Sequence, residues 1–183
     1  MTESSSNKTR DNGIDIKIPP NSVEAEQSIL GGLMLDNNAW DKIADIIVKS
    51  DFYRKDHQII FDGISSLIES AEACDVVTLS EYLDNKGNLD SVGGLEYLAT
   101  LANETAGSAN VISYAKILRE RSVLRSLITA GNEISGSAFS TMGRSASELV
   151  DQAERLVFEI AEKGARGRVG FERIEKFLSS TIN

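Results

Sequence analysis

The sequence predicts an all-α protein built as a globular helical subdomain, an antiparallel helical hairpin and a short linker helix. Three observations carry that reading. Apolar residues return at intervals of three and four along successive segments. No stretch alternates with period two for long enough to suggest a strand. Clusters of Asp, Asn, Ser and Gly divide the chain at about one helix length each. With 183 residues, 41% hydrophobic and 26% charged, the chain has the composition of a folded protein with one core.

Residues 1–17 form a polar, Ser-rich leader that is expected to be disordered, and Pro19-Pro20 ends it. Asn21 or Ser22 then caps a first helix, with Glu24 and Glu26 in its first turn and Val23, Ile29, Leu30 and Leu33 on its apolar face as far as Gly31-Gly32. Asp36-Asn37-Asn38 is a stop-and-cap signal before a second helix carrying Trp40, Ile43, Ala44, Ile46 and Ile47. Asp51 opens a third, with Phe52, Ile60, Phe61, Ile64, Leu67 and Ile68 at helical spacing to about residue 69. Asp75 caps a fourth through Leu83, closed by the turn residues Asn85 to Asn88, and Val92-Gly93-Gly94 opens a fifth with Leu95, Leu98, Ala99 and Leu101. These helices make up the globular subdomain, residues 18–105.

The hairpin, residues 106–163, differs in scale. Apolar positions from Val111 to Ile134 run without proline along a helix of nearly thirty residues, and a polar break at Ser140 to Ser145 reverses the chain. The returning helix places Leu149, Ala153, Leu156 and Ile160 at the 4, 3, 4 spacing of a coiled-coil seam. A second apolar flank, Val150, Val157 and Phe158, exceeds what one partner helix need cover. Self-association and packing on the globular half explain that flank equally well. Residues 164–183 follow as a glycine-punctuated basic linker and a short amphipathic segment with Phe171, Ile174, Leu178 and Ile182 on one stripe, suited to plug a groove on another domain or to fold back on the hairpin.

Several chemistries are excluded by what the sequence lacks. No glycine precedes a lysine and no two glycines sit two apart, which removes both common glycine-rich phosphate loops. His57 is the sole histidine and Cys74 the sole cysteine, so a zinc site built from those residues is not expected; His57 reads as a packing or capping residue and Cys74 as a small buried hydrophobe. The Asp84 to Asn88 run lacks the ligand register of a calcium loop and reads as a turn. The net charge is −9, but Lys163, Arg166, Arg168, Arg173 and Lys176 against Glu172 and Glu175 leave that stretch at +3, so the remainder carries −12. Such a body repels a phosphate backbone and suits protein partners. No apolar run reaches the 18 or so residues of a membrane span, and the leader lacks a secretory pattern, so a cytoplasmic location without membrane contact is expected.

The run from Ile18 to Asn38, IPPNSVEAEQSILGGLMLDNN, strongly resembles the opening of the DnaB family of bacterial replicative DNA helicases. Asp51-Phe52-Tyr53 with His57 and Ile60-Phe61, Leu89 to Gly94 with Tyr97-Leu98, Ala109-Asn110 with Tyr114-Ala115, and Arg119 to Arg125 are similar to that family's N-terminal landmarks, in the family's order. The resemblance spans roughly residues 18–183. It implies a helicase collar whose copies pair and assemble as a trimer of dimers, the hexamer of the parent protein, above a motor ring. It implies ATP-dependent 5′ to 3′ unwinding by the parent, with ATP and Mg bound in a RecA-like motor that also makes most of the DNA contacts. That motor's Walker A loop is not found in these 183 residues, so no cofactor, catalytic residue or ATP hydrolysis is expected of this segment itself.

By the same resemblance the collar docks primase, with Ile128, Ile134 and Leu149 on the hairpin and Glu24 and Tyr97 on the globular face as the positions carried over. Phe171, Ile174 and Leu178 correspond to a linker helix that docks on the adjacent subunit's ATPase domain, and a helicase loader is a further partner the family admits. A free-standing, motorless collar that regulates or competes with the helicase fits the same motifs.

Overall fold

The computed structural model describes residues 18–165; the leader, Phe171, Ile174 and Leu178 lie outside the described residues. Six α-helices are present among the described residues: α1 (Val23–Leu35), α2 (Lys55–Glu69), α3 (Val76–Asn85), α4 (Gly94–Glu104), α5 (Val111–Phe139) and α6 (Ala146–Gly164). The described chain contains no strand, as the periodicity predicts.

Helix α1 is the central element and packs against α2, α4 and α5. Its Ile29, Leu30 and Leu33 are fully buried with Ile60 and Ile64 of α2, Leu79 of α3 and Leu98 of α4. Each such side chain removed from water contributes about 1.5–3 kcal/mol. Phe52 and Phe61 close one side of this core with ring centroids 4.7 Å apart, and Trp40 meets Phe61 at 5.6 Å.

Three sequence expectations need correction. Helix α1 does not stop at Gly31-Gly32 but runs through both to Leu35. The glycines are there for proximity: a Cβ at Gly31 would lie 2.1 Å from Thr105 Oγ1 and 2.2 Å from the Leu101 carbonyl, so the missing side chain lets α1 and α4 touch. The expected second helix is a 3-10 helix, Asn37–Lys42, followed by turns. Its cap is the Asp36 carboxylate accepting from the Asn38 backbone N–H, and Ala39, Ile43 and Ile47 still bury every fourth residue. Asp51 does not cap α2, which starts four residues later after Arg54; its carboxylate is buried elsewhere.

The α3 cap stands where the sequence puts it. Asp75 accepts from the Val77 and Thr78 backbone N–H groups at 2.9 Å while Thr78 Oγ1 accepts from the Asp75 N–H, a reciprocal cap for α3. The Thr78 backbone bond holds the Asp75 carboxyl below its ordinary range. At α6 the same device joins Ser145 and Glu148, and the Ser145 backbone bond likewise lowers Glu148. Burial pushes the Cys74 thiol up to about 12, as expected of an enclosed small hydrophobe, with the Asp75 charge adding to the effect.

Helix α5, 29 residues and so about 43 Å long, belongs to both halves. Val111, Ala115 and Leu118 sit in the globular core. Past Arg125 the helix runs beside α6, and from there to Gly164 only Ala130 and Ile160 are buried. The antiparallel return is fixed at its far end by Gln152 Nε2 donating to Glu133 at 3.0 Å.

Candidate functional site

Two buried carboxylates organise the face where the hairpin leaves the globular half. Helix α1 turns Glu26 inward, where it is fully buried between helices and the chain leading into α2. There it accepts the Tyr53 backbone N–H at 2.6 Å and the Arg54 N–H at 3.4 Å, and its Oε2 lies 2.7 Å from His57 Nδ1. The other imidazole nitrogen, Nε2, lies 2.7 Å from the Tyr97 hydroxyl on α4, and Gln27 Nε2 donates to that hydroxyl at 3.3 Å. The Arg54 guanidinium stands 5.7 Å above the Tyr97 ring and is paired with Asp56. Its bond to Asp56 raises Arg54 further above its ordinary range.

The second carboxylate, Asp51, accepts from Arg119 Nη1 at 2.6 Å, Ser122 Oγ at 2.7 Å and the Val48 N–H at 2.9 Å. One helical turn on, Arg125 donates to the Pro20 carbonyl at 2.8 Å and to the Asp51 carbonyl, and its guanidinium lies 5.7 Å over the Tyr53 ring. Desolvation lowers Arg125 from its ordinary range. Two stretches far apart in sequence, at Pro20 and at Val48 to Tyr53, thus converge on α5. Both carboxylates are enclosed, so the clusters position backbone and surface side chains rather than meet a substrate. No group of three or more His, Cys, Asp or Glu is placed to hold a metal among the described residues.

The residues proposed for docking do not form a single patch. Glu24 is exposed on α1, and Tyr97 is half-buried over His57. Ile134 and Leu149 are half-buried on the hairpin, and Ile134 stands nine residues, about 14 Å, beyond Arg125. Ile128 is 47% exposed and falls about 160° round α5 from the buried Ala130. The hairpin also leaves Phe139 at 92%, Met142 at 85% and Phe158 at 64% exposure, with Val150 and Val157 on the Phe158 flank. The sequence signalled that flank but not the Glu26 and Asp51 clusters. Their only local sign is a lone histidine and a carboxylate among apolar neighbours.

The DnaB-like helicase N-terminal domain model matches residues 18–120. A solved N-terminal domain of the DnaB helicase from Mycobacterium tuberculosis superimposes with a TM-score of 0.75 at 35% identity, covering 78% of this chain and 99% of that one. The chain belongs to the DnaB-like helicase N-terminal domain family. It is also 42% identical over 167 residues to the replicative DNA helicase DnaB of Haemophilus influenzae, and 33% identical over 167 residues to the replicative DNA helicase DnaC of Bacillus subtilis. Each of those alignments covers 91% of this chain and 36% of the relative, so the chain spans little more than a third of their length. A DnaB-like replicative helicase described with its interactions with primase shares the fold, with a TM-score of 0.65 at 18% identity over 79% of this chain and 32% of that one. DnaB-family membership and the all-helical fold therefore agree with the motif reading.

Proposed function

We propose that this chain is the assembly and primase-docking module of a replicative DNA helicase. The observation that carries it is apolar surface the hairpin does not cover itself: Ile128, Phe139, Val150, Val157 and Phe158 are exposed on two helices that touch each other along a different face, and Met142 is exposed on the turn that joins them. A helix pair with apolar residues outside its own seam gains by covering them with another protein. A second copy takes the α6 flank, giving a dimer, then a trimer of dimers and the hexamer. Primase takes Ile128, Ile134 and Leu149, with Glu24 and Tyr97 extending the contact onto the globular face.

Unwinding, ATP and Mg binding and most DNA contact belong to the remainder of such a helicase. Phe171, Ile174 and Leu178 join this module to the ATPase domain of the adjacent subunit, a loader engages the assembled ring, and the setting is the cytoplasm. Titrating the chain with primase by calorimetry tests the reading. Ile134→Ser is expected to weaken binding about tenfold with helix content unchanged, the size of effect a central apolar contact produces. Loss of helix content together with binding assigns Ile134 to the hairpin core instead, and full-affinity binding removes it from the interface.

A further inference from the structure

Glycine inside a helix commonly marks a close approach, and in the globular half it does. A Cβ at Gly63 of α2 would lie 2.9 Å from Leu79 Cδ1, just as one at Gly31 would meet Thr105. Gly131 and Gly136 of α5 are different: a Cβ at either would meet nothing within 4 Å. Each therefore weakens the helix relative to alanine without any gain in packing. Their neighbours add to the effect. Seven of the fourteen residues 126–139 are Gly, Ser, Thr or Asn, poor helix formers, against two of the fourteen before them, 112–125, neither a glycine.

Little else compensates beyond Arg125. Only Ala130 and Ile160 are buried there, and the seam is made of half-buried side chains such as Ile134, Leu149 and Leu156. Among the described residues, Gln152 to Glu133 is the one side-chain bond joining α5 to α6, and no ion pair involves a side chain beyond Arg119. Helix α6 packs chiefly on α5. Where it returns toward the globular half, a cavity of about 280 Å³ bordered by Ser50, Arg125, Glu159 and Lys163 lies between them. The inner turns of α5 are tied instead to the Asp51 carboxylate through Arg119 and Ser122, and to two backbone carbonyls through Arg125. We infer that the outer hairpin, residues 126–139 of α5 together with α6, opens as a unit of its own while the globular half stays folded, and that Gly131 and Gly136 set how often it does so. Arg125 is the boundary. Low local stability is characteristic of segments that receive a ligand, and on the docking reading above a protein bridging α5 and α6 holds this unit shut.

Hydrogen exchange of the whole free chain, followed by NMR, tests this. Amides of residues 127–139 and 149–163 are expected to exchange together, at least about a hundredfold faster than those of Leu30, Ile60 and Leu118. Ile60→Val, a mild change at a fully buried position, is expected to speed the core amides about fivefold while the hairpin amides keep their rate, because the core is folded whether the hairpin is closed or open. Gly136→Ala is expected to slow the hairpin amides about fivefold, and Gly131→Ala to do the same. Hairpin amides that accelerate with the core in Ile60→Val overturn the inference, since the chain then unfolds as one unit. Equal protection along the whole of α5 overturns it too, as does hairpin exchange unmoved in both glycine variants. None of these measurements uses a partner, so primase docking can fail without touching them.

Discussion

The two halves of α5 show how one helix can be stabilised in two different ways. Its first turns, through Leu118, are enclosed by α1 and the chain between α1 and α2, and even the polar groups that follow, Arg119 and Ser122, are buried against Asp51. Past Arg125 the same helix runs beside α6, and Ala130 is its only buried side chain. The inner half is held by its own chain. The outer half keeps apolar surface in reserve, which makes its stability depend on what binds it.

That contrast can be broken or sharpened by substitution. Asp51→Ala strikes the inner half and leaves the Arg119 guanidinium buried without its partner, so chemical denaturation is expected to show a loss of about 3–5 kcal/mol. A loss below about 1 kcal/mol places the junction outside the cooperative core. Phe158→Ser strikes the outer half at an exposed position and is expected to change monomer stability by no more than about 0.5 kcal/mol. In sedimentation it is nevertheless expected to weaken self-association, and an unchanged sedimentation profile assigns the flank to another partner.

The smallest effect is one of pH. Glu148 titrates below its ordinary value of 4.5 because the Ser145 backbone and hydroxyl bond its charged form. A carboxyl lowered in the folded state stabilises the fold above its unfolded value and loses that contribution as pH falls through its folded value. Circular dichroism is therefore expected to show the start of α6 fraying below about pH 4.5 in the native chain, while Glu148→Gln removes this acid dependence.

The sequence was legible where structure is local. Asp75 announced α3 because a cap needs only its own first turn, the polar break at Ser140 to Ser145 announced the return into α6, and α5 announced itself by a long proline-free period. Residues 37–47 were misread as an α-helix because burial of Ala39, Ile43 and Ile47 at four-residue spacing looks the same for an α-helix and for a 3-10 helix followed by turns. Gly31 was misread as a stop because the reason for it, Thr105, lies 74 positions away. Likewise nothing near Glu26 or Asp51 names His57 or Arg119, which only the folded arrangement supplies. At the candidate surface, the excess apolar flank of α6 was visible from its period, whereas the half-burial of Ile134 and Leu149 depends on how the hairpin helices rotate against each other.

Arg125 has a mechanical consequence. It grips the Pro20 and Asp51 carbonyls and stacks over Tyr53, while Phe139 at the end of α5 stands fourteen residues, about 21 Å, away. The hairpin is thus a lever with its fulcrum at one guanidinium. A tilt of about 5° at that pivot carries the tip by about 2 Å along an arm of this length. Traction applied by a protein seated on the outer half is delivered through Arg125 to Pro20, just ahead of α1.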